Sequence, residues 1–317
     1  MDSDKSRLWL VPADDERGWD LASVVEALRV SREVINKVRH RGSVRELPSR
    51  AVLVDVVADL AAVLFPTHYG RSDLSAESID YFVGNTLNSA LTALAEQVRR
   101  GLLLDDRHDG IAADCEARAA EIARTFAARL PVIRALLVSD LLAAYHGDPA
   151  ASSMAEILLC YPGMTAIIHH RLAHALHRLG APVVARLIAG IAHAATGIDI
   201  HPGADIGGSF FIDHGTGVVI GETAVIGDNV RLYQAVTLGA KRFPVDDNGV
   251  LIKGGARHPI IEDNVVIYAG ATVLGRITVG RDSVIGGNVW LTHSVPPGSN
   301  VTQAQVRQGS ESSPAAP

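Results

Sequence analysis

From Ile200 onward, the aliphatic residues of this 317-residue chain recur at every sixth position. The repeat is offset by two residues before Ile220. After a longer interruption it resumes at Ile261 and continues to Leu291. Neither an α-helix nor an alternating β-strand has a period of six, whereas a parallel β-helix with short flat faces does. Prisms of this kind coil left-handed, an exception to the right-handed rule for parallel crossovers. The period therefore predicts a left-handed parallel β-helix of hexapeptide repeats over residues 197–300.

The first half of the chain follows a helical period instead. Apolar residues from Leu21 to about Ala144 recur three and four positions apart, and glycine and proline mark the segment boundaries. Pro131 suits the first turn of a new helix. We expect helices near residues 74–100, 109–130, 131–145, 152–178 and 182–195. The fold class is therefore α+β, with an α-helical domain over residues 1–196 followed by the β-helix.

Two segments break the six-residue period. Residues 240–257 carry charges, a proline and three glycines, and we interpret them as a loop ejected from a corner of the prism. Long loops in compact domains are uncommon unless they are functional or disordered. Residues 301–317, which end in SSPAAP, have the composition of a disordered tail.

Composition excludes some classes of partner. The formal net charge is −6, which argues against a broad grip on nucleic acid or on an anionic membrane. The two cysteines are too few for a disulfide framework, and the N-terminus lacks the layout of a signal peptide. The apolar stretch 181–200 contains charge and glycine, so we interpret it as a buried helix rather than a membrane span. These observations favour a cytoplasmic protein.

Because aliphatic side chains fill the inside of such a prism, polar residues at its edges are the candidates for chemistry. Three clusters stand out: Asp199 with His201, Asp213 with His214, and Arg257 with His258. His214 lies where the period is stretched, and a neutral imidazole suits proton abstraction from an alcohol at neutral pH. A carboxylate such as that of Asp199 can fix the tautomer of a catalytic histidine. The alternative is that these residues only cap turns.

An ordered set of motifs makes a family resemblance visible between Ser139 and Ser299. The motifs are DPAASSMAEILLCYPG, HRLAHALHRLG, TGIDIHPGADIG, FFIDHGTGVVIGETAVIGDNV, YQAVTLGA, RHPIIEDNVVIYAGATVLG and VPPGS. Together they resemble serine O-acetyltransferases, and the loop resembles that of a bacterial subgroup with a long insert. The resemblance implies transfer of an acetyl group from acetyl-CoA to L-serine, which gives O-acetyl-L-serine and CoA in the first step of cysteine biosynthesis.

The resemblance also implies a role for individual residues. His214 matches the general base and Asp199 its dyad partner. The positions that match substrate contacts are Asp148, Asp213, Glu222, Arg257 and His258. The positions that match the backbone lining of the acetyl-CoA slot are Gly239, Ala269 and Gly287. The charges fit an amino-acid substrate, which needs acids near its ammonium group and a fork-shaped cation near its carboxylate.

The same resemblance implies the partners. Acetyl-CoA is a cosubstrate, and no permanently bound cofactor or metal is expected. L-cysteine is expected to inhibit, and a homotrimer or a dimer of trimers is the expected assembly. Many relatives insert a C-terminal isoleucine into O-acetylserine sulfhydrylase, but this chain ends in Pro317, so we predict no stable complex through the tail.

Several alternatives stay open at this stage. The acceptor could be homoserine, or the prism could be a non-enzymatic scaffold. A zinc carbonic anhydrase would need three histidines from adjacent coils, for which His201, His214 and His258 are available. A histidine stripe on one predicted helix also resembles a metal site but lacks acidic ligands, and it consists of His170, His174 and His177. The loop cations Lys241, Arg242 and Lys253 either meet cofactor phosphates or are simply solvated.

Overall fold

The computed structural model describes residues 19–34, 46–104, 112–243 and 245–303. The chain divides into two units, Met1–Glu46 and Leu47–Pro317. The described part of the first unit contains helix α1 (Leu21–Val34), in which the side chains of Val24, Val25, Leu28 and Val30 are exposed. The tail beyond residue 303, for which the sequence predicts disorder, lies outside the described residues.

Seven helices are described in the second unit. They are α2 (Arg50–Leu64), α3 (Pro66–Tyr69), α4 (Ile79–Leu102), α5 (Ala112–Gly147), α6 (Met154–Cys160), α7 (Pro162–Arg178) and α8 (Pro182–Thr196). Serine side chains cap two of them: Ser49 accepts from the N–H of Val52, and Ser153 from that of Glu156. None of the described helices is long and apolar enough to cross a membrane. Helix α8, within the apolar stretch, buries Ile188 in the core.

Two predicted helix boundaries are wrong. The sequence predicts a break at Pro131, but α5 runs through this residue as one helix of 36 residues. Apolar side chains on both sides of the proline, including Phe126 and Leu137, are fully buried in the same core, which outweighs the lost hydrogen bond. The predicted helix over residues 152–178 is instead divided at Tyr161, whose backbone is extended. A residue before proline is disfavoured in the helical region, and Pro162 follows.

The second half forms a three-sided prism of short parallel strands, as the six-residue period predicts. Sheet A contains β1 (Asp199–Ile200), β4 (Val219–Ile220), β7 (Thr237–Gly239), β10 (Thr272–Leu274) and β13 (Trp290–Leu291). Sheet B contains β2 (Asp205–Ile206), β5 (Val225–Ile226), β8 (Ile260–Ile261) and β11 (Thr278–Val279). Sheet C contains β3 (Phe211–Ile212), β6 (Arg231–Leu232), β9 (Val266–Ile267), β12 (Val284–Ile285) and β14 (Asn300–Val301).

The register explains the period. Ile200 pairs with Ile220 and Ile220 with Leu238, so the aliphatic residues stack in columns inside the prism. These side chains are almost completely buried. The first coil is two residues longer than the second, which accounts for the two-residue offset in the repeat before Ile220. Val301, predicted to begin the tail, instead pairs with Ile285 in the last strand of sheet C.

The three corners of the prism give the site its frame. We name them by the sheets that they join in chain order: the A–B corner, the B–C corner and the C–A corner. The segment between β7 and β8, predicted as an ejected loop, leaves from the A–B corner. An antiparallel bridge between Val245 and Leu251 folds it back on itself.

A buried ion pair joins the helices to the first coil. The Arg171 guanidinium donates to both oxygens of Asp140, at 2.9 and 3.1 Å, and also to the carbonyls of Ile206 and Gly207. Asp140 in turn accepts from the N–H of Phe210 at 2.8 Å. Because both charges have several hydrogen-bond partners, they can be accommodated away from water. This pair fixes α5 and α7 against the coil that leads to His214.

Candidate active site

At the C–A corner, His214 lies in a turn directly after β3. Its φ of +57° is in the left-handed region, and Gly215 and Gly217 continue the turn with positive φ. The turn uses the extra length of the first coil and directs the imidazole outward, so 71% of its side chain is exposed. Asp213 is mostly buried, with its Oδ1 3.8 Å from Nδ1 of His214. The sequence interpretation of an outward histidine at the stretched repeat is therefore correct.

Asp148 reaches the same corner from the end of α5. Its Oδ1 accepts from the N–H of Ala150 at 2.8 Å, and its Oδ2 accepts from the hydroxyl of Tyr161 at 2.5 Å. These two hydrogen bonds lower the pKa of the Asp148 carboxyl, and the nearby charges of His214 and Arg231 lower it further. The hydrogen bond between Tyr161 and Asp148 also raises the pKa of Tyr161 to about 12. Asp148 is thus held as an ionised acceptor.

A second cluster lies at the A–B corner, where the loop returns to the prism. The Arg257 guanidinium donates to Oε2 of Glu222 at 2.6 Å, and both side chains are about one-third exposed. Thr223 ties the cluster together, because its Oγ1 accepts from the backbone N–H of Arg257 at 2.9 Å. The pKa of Glu222 is lowered, mainly by the hydrogen bond from Arg257.

His258 is buried in this second cluster, with 7% of its surface exposed. Its Nδ1 accepts from the backbone N–H of Thr223 at 3.0 Å, so in the neutral ring the proton is on Nε2. Burial is the main cause that lowers the pKa of His258, with a further contribution from Arg257. Its ring lies against Gly221, where an added Cβ would be 2.0 Å from Cδ2, so only glycine fits there.

Asp199, the predicted dyad partner, begins β1 of sheet A and is half-buried. Its backbone N–H donates to the carbonyl of Val218 at 2.9 Å. Within the described part of this single chain, no hydrogen bond or ion pair joins its carboxylate to His214. The dyad therefore stays a prediction.

The residues predicted to line the acetyl-CoA slot lie at both corners. Ala269 and Gly287 are on successive coils of the C–A corner, where a Cβ added to Gly287 would lie 3.2 Å from the Ala269 carbonyl. Gly239 ends β7 at the point where the loop leaves. There, a cavity of about 380 Å³ is lined by the loop and by the cations Lys241, Arg242, Arg257 and Arg276. Lys253, the third loop cation considered, does not line it.

The histidines considered as metal ligands do not form a ligand set. His201 and His258 are at the A–B corner, whereas His214 is at the C–A corner. In the predicted stripe, His170 is buried against His174, whose Nδ1 is 2.9 Å from the Pro202 carbonyl oxygen. Among the described residues, no group of three metal-binding side chains converges.

Sequence reasoning missed two side chains that act on Asp148, which are Tyr161 and Arg231. The Arg231 guanidinium lies 5.4 Å from the ring centre of Phe211 and against the backbone of Gly147, where a Cβ would clash with it. A tyrosine before Pro-Gly, after the DPA motif, was the available signal for the first. An outward arginine on a strand normally indicates only a solvated face, so the second had no signal.

Comparison with known proteins agrees with this architecture. Residues 258–293 match the family model "Bacterial transferase hexapeptide (six repeats)". A plasmid serine acetyltransferase of Synechococcus elongatus is 58% identical over 296 residues, which cover 92% of this chain and 93% of the relative. This chain belongs to the serine acetyltransferase family. The similarity to this relative extends well beyond the half of the chain in which the motifs are recognisable.

Solved structures of the family share the fold. Serine acetyltransferase 1 of Entamoeba histolytica in complex with L-cysteine has a TM-score of 0.68 at 34% identity and covers 88% of this chain and 97% of its own. Soybean serine acetyltransferase complexed with serine has a TM-score of 0.51 at 31% identity, over 80% and 96% of the two chains. The predicted fold class, a helical region followed by a left-handed β-helix, is therefore confirmed.

Proposed function

We propose that this chain is a serine O-acetyltransferase that transfers the acetyl group of acetyl-CoA to the hydroxyl of L-serine. The products are O-acetyl-L-serine and CoA, in the first step of cysteine biosynthesis. The observation that carries the proposal is the charge pattern beside an outward histidine: Asp148 and Asp213 at one corner, Arg257 at another. An amino acid needs both signs of charge, whereas an uncharged alcohol needs neither.

His214 acts as the general base. Its imidazole takes the serine hydroxyl proton while the oxygen attacks the thioester carbonyl carbon, and the carbonyl π electrons move onto oxygen. Backbone N–H groups stabilise this oxyanion. When the tetrahedral intermediate collapses, the carbon–sulfur bond breaks and the imidazolium returns its proton to the CoA sulfur. Asp199 orients the imidazole.

Serine is held by its charged groups. The Asp148 and Asp213 carboxylates receive the ammonium group, and Arg257 receives the carboxylate with the guanidinium edge that Glu222 does not use. The Nε2–H of His258 supplies a further donor. L-cysteine carries the same two charged groups, so it competes with serine, with its thiol in the place of the hydroxyl.

The separation of the two clusters supports a site shared between neighbouring subunits. In one prism, Asp213 and His214 are at the C–A corner, whereas Arg257 and His258 are at the A–B corner. In a threefold ring, each contact joins two different surfaces of neighbouring subunits, so the C–A corner of one prism can face the A–B corner of the next. We propose a homotrimer as the minimum unit, with the helical halves able to pair two trimers.

Acetyl-CoA then lies in the groove between the prisms. Ala269 and Gly287 offer backbone groups on one wall, and Gly239 offers them on the other. The loop cations Lys241 and Arg242 line the cavity at the start of the loop, and we propose that they bind phosphate groups of the cosubstrate. The cysteines Cys115 and Cys160 are unpaired, which supports a reducing cytoplasm as the setting.

Release of free thiol from acetyl-CoA tests the choice of acceptor. We expect release that depends on L-serine, with kcat/KM for serine at least about 10-fold above that for homoserine, which has one more methylene. A preference for homoserine would contradict serine as the substrate. Bicarbonate formation with stoichiometric zinc, without thiol release, would instead favour the carbonic anhydrase alternative.

A further inference from the structure

The Asp148 carboxylate has a donor on each oxygen. Ala150 donates its N–H to Oδ1 at 2.8 Å, and Tyr161 donates its hydroxyl to Oδ2 at 2.5 Å. An ionised carboxylate offers about four acceptor positions. The two donors therefore fix its plane and leave acceptor positions free for a ligand. Only one of these donors is a side chain, and it comes from a residue thirteen positions later.

The position of Tyr161 is set by packing that also fixes Asp213. Tyr161 lies between α6 and α7, and its own N–H donates to the Ile157 carbonyl at 3.1 Å. In the first turn of α7, Gly163 lies so close to β3 that an added Cβ would be 2.2 Å from the Ile212 carbonyl oxygen. Asp213 follows Ile212 directly. The close contact between Gly163 and Ile212 thus fixes the position of Tyr161 relative to Asp213, the second carboxylate of the site.

The hydroxyl is a dependable donor to this carboxylate. The pKa of Tyr161 is raised to about 12, chiefly by its hydrogen bond to Asp148, with the charges of Glu156 and Asp213 adding to the effect. The phenol therefore keeps its proton throughout the range in which an enzyme of this kind is assayed. The proton of this hydrogen bond therefore stays on the Tyr161 oxygen, and the Asp148 carboxylate stays ionised.

We propose that Tyr161 is a positioning residue for the substrate: its hydroxyl holds Asp148 in the orientation that receives the serine ammonium group. This inference rests on the proposed function, since it assumes that Asp148 binds serine. It predicts a specific effect on serine binding. A purely structural hydrogen bond would affect folding stability, or all kinetic constants together.

Tyr161→Phe tests the proposal because it removes the hydroxyl and keeps the ring. We expect KM for serine to rise about 5- to 20-fold. This is less than the roughly 10- to 100-fold expected when a ligand itself loses a hydrogen bond to a charged group, because the Asp148 carboxylate stays in place and loses only its orientation. The turnover number and KM for acetyl-CoA should stay within about 2-fold. The matched control is Tyr69→Phe, because the Tyr69 hydroxyl donates to the Leu158 carbonyl in neighbouring α6. The control should alter thermal stability and leave KM for serine unchanged.

A double-mutant cycle with Asp148→Asn separates two claims: that Asp148 binds the serine ammonium group, and that Tyr161 positions Asp148. If both are right, Asp148→Asn raises KM for serine strongly, and adding Tyr161→Phe raises it no further. If Asp148→Asn raises KM but Tyr161→Phe alone does not, the positioning role is refuted while the serine site stands. If Asp148→Asn leaves KM unchanged, the assignment of Asp148 fails, and the role of Tyr161 fails with it. Equal losses in all kinetic constants for Tyr161→Phe would also overturn the proposal.

Discussion

The Arg257 guanidinium is anchored to Glu222 by a hydrogen bond of 2.6 Å between residues that are thirty-five positions apart. The contact joins the return of the ejected loop to the turn after β4. It engages one nitrogen of the guanidinium, and a second nitrogen donates to the nearby Gly255 carbonyl at 3.2 Å. The cation is thus oriented before any ligand arrives, which reduces the entropy lost when a carboxylate binds.

Arg257→Ala should weaken serine and L-cysteine together. We expect KM for serine and the inhibition constant of cysteine each to rise about 10- to 100-fold, since both ligands lose a charge-assisted hydrogen bond. The control is Arg281→Ala at the B–C corner, where the Arg281 guanidinium lies 3.9 Å from Glu262 in an exposed pair. Inhibition by cysteine that survives Arg257→Ala undiminished would mean that the inhibitor binds elsewhere.

The separation of His214 and Arg257 at different corners predicts complementation between inactive subunits. His214→Asn and Arg257→Ala chains, unfolded together and reassembled in equal amounts, should form some sites that take an intact corner from each chain. At random mixing, and at a serine concentration well below KM so that sites carrying Arg257→Ala contribute little, we expect about a quarter of the wild-type activity. Each variant reassembled alone is the control. A mixture no more active than its parents would place the whole site within one chain.

Two glycine substitutions should change stability in opposite directions. Gly163→Ala places a Cβ 2.2 Å from the Ile212 carbonyl, so we expect a loss of about 2 kcal/mol or more in the free energy of unfolding. Gly84 lies in α4 with no atom within 4 Å of an added Cβ, so Gly84→Ala should add about 0.5–1 kcal/mol. Urea unfolding measures both. A Gly163→Ala protein as stable as wild type would refute the tight contact between α7 and β3.

Buried histidines should make the fold sensitive to acid. Burial lowers the pKa of His169, His170 and His174 on α7, and it lowers that of His201 to about 4. These groups bind protons more tightly in the unfolded chain, where their pKa is near the ordinary 6.5. Their contribution to stability is therefore complete above pH 6.5 and is lost as the pH falls towards 4.

We therefore expect the urea midpoint to be constant just above neutrality and to decrease between pH 6.5 and 4. His201→Asn should flatten part of this slope, because asparagine does not titrate and can still accept from the Gly203 N–H, which lies 2.9 Å from Nδ1 of His201. A midpoint that stays level down to pH 5 in the wild-type protein would contradict the buried neutral state of these rings.

The prism could be predicted from sequence because its geometry imposes one inward residue per face. The period therefore identifies the inward residues from Ile200 to Leu291 without any knowledge of tertiary contacts. Helix boundaries were less predictable. The continuity of α5 through Pro131 depends on burial against other helices, which no local pattern records.

Features of the site that depend on one local motif could be predicted from the sequence. Contacts between segments that are distant in the sequence could not be predicted as well. The outward direction of His214 follows from the stretched repeat. The hydrogen bond of Tyr161 to Asp148 does not, because it depends on how α6 folds back over the end of α5. The placement of Arg257 at a different corner follows from counting faces, but its partner Glu222 follows only from the path of the loop.

The initial rate of thiol release from acetyl-CoA, measured with L-serine for wild type and for His214→Asn, tests the central claim most directly. Asparagine tolerates the left-handed backbone at this turn, so the variant should fold and assemble normally. We predict that wild type releases thiol only when serine is present, and that the variant is at least about 100-fold slower because the general base is gone. Wild-type turnover by a folded and assembled His214→Asn protein would contradict the account.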